Sequence, residues 1–137
     1  MTLLFENETH RIIGACMQVH KQLGCGFLES VYQEALEKEF LKLNIPYSRH
    51  KHLHILFDGK PLDKSFVADF VCYDTIILEI KGATFLHQSN SDQVINYLKA
   101  TGFAVGLLVN FGESSLKWKR FINTHPCNPH NPCNPFY

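Results

Sequence analysis

Ala68-Asp69-Phe70-Val71-Cys72-Tyr73-Asp74-Thr75-Ile76-Ile77-Leu78-Glu79-Ile80-Lys81-Gly82 is the stretch whose reading decides the fold. Two runs rich in β-branched and apolar residues flank a tight turn around Asp74, the pattern of a β-hairpin. With Tyr73 to Thr75 as the loop, facing residues have numbers that sum to 148, which sets Asp69 opposite Glu79. Side chains alternate along a strand, so Lys81 shares the face of Glu79, while Leu78 and Ile80 point the other way into a core. Two carboxylates and one ammonium then meet on one patch. Facing like charges destabilise a sheet, and a cation between them removes that cost. A hard divalent ion with oxygen ligands, Mg²⁺ or Mn²⁺, suits such a pair. The same three residues also read as the solvated face of an ordinary antiparallel hairpin, so the rest of the chain has to decide.

Upstream, Ile12, Cys16, Val19 and Leu23 recur at helical spacing between Asn7 and Leu23, with Ile13 and Ala15 widening the stripe and His10 and His20 on the polar side. Gly24 and Gly26 end this helix. A second helix from Leu28 to Leu43 is expected to bury Leu28, Val31, Ala35, Leu36, Phe40 and Leu43, and Asn44-Ile45-Pro46 breaks it. Glu29 falls in its first turn, where the helix dipole alone favours a carboxylate. Equally, Glu29 and Tyr32 are near neighbours on one face and can point toward the acid pair. Tyr47 to Phe57 alternates as a strand, with His50, His52 and His54 on one side and Leu53 and Ile55 on the other. Residues in one row of a single strand are poorly placed to surround a tetrahedral ion, so the histidines read as a polar face rather than a zinc site. Asp58-Gly59 turns the chain back toward Asp69.

Beyond Lys81, Asn90 or Ser91 caps a third helix that carries Gln93 and Tyr97 on one face. Such a pair is either an amphipathic boundary or a substrate contact. Phe103 to Phe111 is a nearly unbroken apolar run, typical of a strand covered on both sides, and a crossover through the helix makes it a parallel neighbour of the strand holding Lys81. Leu116 to Ile122 reads as an edge strand with Lys117 and Lys119 outward and Leu116 and Trp118 inward. The Asn-Pro repeat of 125–137 cannot join a helix or ladder and reads as an extended or disordered tail after a single domain, 1–124.

Gly26-Phe27-Leu28-Glu29-Ser30-Val31-Tyr32 spells G-x-x-E-x-x-Y. Asp69 with Glu79-Ile80-Lys81 follows the PD-(D/E)xK pattern, with Phe66-Val67-Ala68 as lead-in and no proline before the aspartate, and Gln93 to Tyr97 gives Q-x-x-x-Y. In this order, and with Leu107 to Gly112 behind them, these motifs resemble the GxxExxY protein family, small bacterial domains of the PD-(D/E)xK nuclease superfamily, from about Phe5 to Asn123. The resemblance implies an α/β, restriction-endonuclease-like core, a mixed central sheet flanked by helices in the order αα-βββ-α-β-β. It further implies a metal-dependent nuclease acting on DNA. Asp69, Glu79 and the Ile80 carbonyl would hold Mg²⁺ or Mn²⁺, Glu29 would be a further metal or water ligand, and Lys81 would orient the attacking water or stabilise the pentacovalent oxyanion. Gln93, Tyr97 and Tyr32 would contact substrate.

Composition bounds these readings. At 137 residues and 45% hydrophobic content the chain can bury a core without staples. Thirteen basic residues balance thirteen acidic ones, so any grip on phosphate has to come from local patches and bound metal. Five cysteines without paired spacing argue against a disulfide framework or an iron-sulfur cluster. No signal pattern or membrane-spanning run is present, which makes the cytoplasm the expected location. A catalytically silent module that binds nucleic acid or protein is the rival expectation. A homodimer or a subunit of a larger complex is a third, because so small a domain offers little surface to a duplex.

Overall fold

The computed structural model describes residues 5–124; the Asn-Pro tail, with Cys127 and Cys133, lies outside the described residues. The elements run α1 (Glu6–Leu23), α2 (Glu29–Lys42), β1 (Tyr47–Phe57), β2 (Lys60–Cys72), β3 (Ile76–Lys81), α3 (Gln88–Thr101), β4 (Val105–Asn110) and β5 (Lys117–Ile122). The strands form one mixed sheet in the order β1-β2-β3-β4-β5. β3 and β4 are parallel, as a crossover through α3 requires, and every other pair is antiparallel. This α/β arrangement is that of a restriction-endonuclease-like core.

β3 and β4 are buried on both faces, which is why their sequences do not alternate. Ile76, Leu78 and Ile80 pack with Val105, Leu107 and Val109 under α1 and α2, against Ile12, Cys16, Leu36 and Phe40. Ile77 faces the other way, into a smaller cluster with Leu53, Ala68, Val71, Leu98 and Phe103 beneath α3. Each of the Ile, Leu, Val and Phe side chains among these contributes about 1.5–3 kcal/mol by leaving water. Among the described residues no helix is long and apolar enough to cross a membrane.

Several local expectations need correction. The buried stripe of α2 is Tyr32, Gln33, Leu36 and Phe40, while Leu28 is 77% exposed and Leu43 lies at the surface. The helix is rotated because Tyr32 stacks on Phe111, ring centroids 4.7 Å apart, and because Gln33 has polar partners in β1. His20 is not on a polar face: it is buried, its Nε2 2.9 Å from the Glu113 carbonyl oxygen. The histidine row of β1 is broken at His50, whose backbone is left-handed (φ 51°) and whose ring reaches Gln33 on α2 at 3.2 Å. Trp118 is 42% exposed rather than inward, since β5 is an edge strand whose α1 side is only partly covered.

Helix α3 starts at Gln88, earlier than its sequence suggests. Asn90 is not the cap; its Oδ1 accepts the His87 N–H at 3.0 Å from within the first turn. The polar signal is the same but acts one turn further into the helix.

Candidate active site

The β2–β3 hairpin is built as its residues dictate, up to one point. Tyr73 and Asp74 both take left-handed backbone (φ 53° and 60°), and the Thr75 N–H closes the turn on the Cys72 carbonyl at 3.2 Å. Cys72 pairs with Ile76, Val71 with Ile77 and Phe70 with Leu78, so the facing numbers sum to 148. The next pair would be Asp69 and Glu79, and there the backbone ladder stops. Glu79 Oε1 accepts the Asp69 N–H at 3.2 Å, and Asp69 Oδ2 accepts the Ile80 N–H at 2.8 Å. Each carboxylate thus serves the opposite strand's backbone where a carbonyl would have done. The two strands part around the acids.

This geometry brings Asp69 and Glu79 together and places Lys81 beside them. Glu79 is 4% exposed, so it does not belong to a solvated hairpin face. Its carboxyl is pushed up to about 8, first by burial and next by the Asp69 carboxylate; the Asp69 N–H and the Lys81 ammonium pull the other way. Without a cation the surroundings of Glu79 favour its protonated form. The hydroxyl of Tyr97 on α3 is raised to about 12, by burial and then by the charges of Glu79 and Asp69. Phe66 on β2 stacks on Tyr97 with centroids 3.6 Å apart and planes 8° from parallel. Gln93 lies one turn before Tyr97 on the same helix, half-buried.

Glu29 arrives from the opposite layer. It continues the sheet-facing stripe of α2 one turn before Tyr32 and Gln33, and its Oε1 accepts the Gly82 N–H at 3.2 Å, just past Lys81. Tyr32 does not point toward the acids. It is fully buried; its hydroxyl donates to the Gly24 carbonyl at 2.6 Å and accepts the Phe27 N–H at 3.2 Å. Its place is under the loop that presents Glu29, out of reach of any substrate.

One residue escaped the sequence reading. Asn110, at the end of β4, pairs with Lys81 and is fully buried. Its Oδ1 accepts the N–H groups of Ala83 (3.0 Å) and Gly112 (3.1 Å), and its Nδ2 donates to the Ala83 carbonyl and to Glu113 Oε2, both at 2.9 Å. One amide thereby pins the loop that follows Lys81. Gly112 is required by the same close approach, because a Cβ there would lie 2.2 Å from the Ala83 oxygen. The available signal was that Asn110 is the lone polar residue in the apolar run from Phe103 to Phe111.

Among the described residues no three His, Cys, Asp or Glu side chains gather as a ready-made metal cage. The donors present still fit a hard cation that keeps much of its water shell. Two carboxylates stand side by side, each accepting a backbone N–H of the other's strand, and the Ile80 carbonyl adjoins them in sequence. The cost of ionising Glu79 beside Asp69 is what such a cation would offset.

The family model of the PD-(D/E)XK nuclease superfamily matches residues 6–121. Among solved structures the chain is similar to the crystal structure of SSO0001, with a TM-score of 0.55 and 16% identity, over 90% of this chain and 61% of that one. The chain thus spans about three fifths of that relative's length, and the likeness is one of fold. No curated protein matches it.

Proposed function

The chain belongs to the PD-(D/E)XK nuclease superfamily, and from that premise we propose that it is a divalent-metal-dependent nuclease hydrolysing phosphodiester bonds in DNA. The G-x-x-E-x-x-Y stretch from Gly26 to Tyr32 supports placing it among the GxxExxY proteins. The observation that carries the activity is the pairing of buried Glu79 with half-buried Asp69, each carboxylate turned into the other's strand and Lys81 beside them.

Asp69, Glu79 and the Ile80 carbonyl would hold Mg²⁺ or Mn²⁺, which when bound supplies Lewis acidity at the scissile phosphate and a more acidic water. The remaining roles fall to the chain's own groups. Lys81 donates hydrogen bonds to the attacking water or to a phosphate oxygen, where its positive charge stabilises the developing negative charge. Glu29, fixed on the Gly82 N–H, bounds the site from the α2 side and orients water there. Gln93 and Tyr97, on the face of α3 next to the acids, position the nucleic-acid backbone.

A second reading is a silent binding module that retains the fold, favoured by the neutral net charge and the absence of a three-side-chain metal cage among the described residues. Either form would work as a homodimer or within a larger complex. Incubation of plasmid and single-stranded DNA with Mg²⁺ or Mn²⁺ tests both. The nuclease reading expects cleavage by the wild type and a fall of at least about 10²-fold in Glu79→Ala and Lys81→Ala. Cleavage equal in all three proteins would refute the assignment, and binding without cleavage in every divalent ion would favour the module.

A further inference from the structure

We infer that the strand entering this site is unpaired, and that its bases stack on two exposed rings at the mouth, Phe27 and Phe85; this rests on the nuclease reading above. Phe27 lies two residues before Glu29, and its carbonyl oxygen is 3.5 Å from where a Cβ on Gly82 would stand. Phe85 lies three residues beyond Gly82 on the loop that leaves Lys81. Both rings face solvent, Phe27 at 49% and Phe85 at 57% exposure, beside a site that is otherwise carboxylate, amine and amide.

These rings are exposed on held segments. The Phe27 N–H is bound to the Tyr32 hydroxyl at 3.2 Å, the two rings meet edge to face at 6.2 Å, and Tyr32 is locked in turn on the Gly24 carbonyl and on Phe111. The buried tyrosine of the G-x-x-E-x-x-Y stretch therefore fixes the turn that sets out both Phe27 and Glu29. On the other side, Phe85 packs on His87 at 4.6 Å, and Asn110 ties down Ala83 two residues earlier. Keeping large apolar rings rigid and in water costs stability that a ligand would recover.

Charge selects the ligand. A duplex binder gains affinity by neutralising many phosphates, and this chain has no net positive charge to spread along one. Stacking on ring faces is independent of charge and needs bases whose faces are free, as in a single strand, a flap or a frayed end. Paired bases present only their edges and leave these rings without a partner.

Fluorescence anisotropy with a labelled single strand of about 16 nucleotides and its duplex tests this, with Ca²⁺ replacing Mg²⁺. The wild type is expected to prefer the single strand. Phe27→Ala and Phe85→Ala should each weaken that binding about tenfold, with duplex binding unchanged. Phe27→Leu, which keeps apolar bulk against Tyr32 but removes the π-face, should behave like Phe27→Ala. Phe57→Ala, at the far tip of the β1–β2 hairpin, should change nothing. Equal affinity for single strand and duplex, or folded Phe27 and Phe85 variants that bind like the wild type, would overturn the stacking rim; Mg²⁺-dependent cleavage that persists then leaves the nuclease reading standing. A wild type that neither binds nor cleaves any DNA would overturn both.

Discussion

Two hairpins share strand β2, and they end differently. In β1–β2 the turn is Asp58-Gly59, both left-handed (φ 52° and 75°), and the ladder runs from Phe57–Lys60 to Tyr47–Cys72 with a shift between His54 and Leu56. Its charged residues Lys60, Asp63 and Lys64 stand in water. In β2–β3 the ladder ends after Phe70–Leu78, and the charged residues that follow are drawn into the protein. Charge is common to both; burial of one carboxyl beside a second is peculiar to the second. An arrangement that costs stability in the free protein is the sort that a site retains for a ligand.

Titration should break the likeness most strongly. An acid whose folded pKa is raised favours the fold while protonated. The contribution of Glu79 is fully present below its ordinary value of 4.5 and is lost as pH rises through about 8. In chelator, urea unfolding of the wild type should lose up to about 5 kcal/mol across that window relative to Glu79→Gln. Millimolar Mg²⁺ should restore much of the loss at the alkaline end. Parallel pH profiles for the two proteins would mean that Glu79 is not destabilised by its surroundings.

Next in size is the amide that braces the loop. Asn110→Ala leaves the backbone groups of Ala83 and Gly112 without their partner and should cost about 3 kcal/mol in urea unfolding. A change under about 0.5 kcal/mol would show that the loop after Lys81 holds itself. Smallest are substitutions in the arm. Asp63→Ala and Lys64→Ala should shift stability by no more than ~0.5 kcal/mol and leave DNA cleavage unaltered. Lost cleavage in either would extend the functional surface into the first hairpin.

Much of this was legible in the sequence, because periodicity and turn chemistry are local. The element order, the β2–β3 register and the parallel pairing of β3 with β4 follow from alternation, from turns at Asp58 and Asp74, and from a helix between two apolar runs. What was hidden depended on partners far away in the chain. The stripe of α2 could be phased on Leu28 and Val31 or on Tyr32 and Gln33, and only Phe111 and β1 settle it. His20 looked solvated until the Glu113 carbonyl met it across the fold. Within the site, the meeting of Asp69 with Glu79 could be counted off along the chain. That their carboxylates would take over the ladder could not, because alternation says which face a side chain takes and not what it bonds.

The most direct test of the central claim is calorimetric titration of Mn²⁺ or Mg²⁺ into wild type and Glu79→Gln at pH 7, in two buffers of different ionisation enthalpy. A cation held by the acid pair competes with the proton that burial favours on Glu79. Saturable binding with proton release is therefore expected in the wild type, and its loss in the variant. Equal binding in both proteins, or wild-type binding that releases no proton, would contradict it.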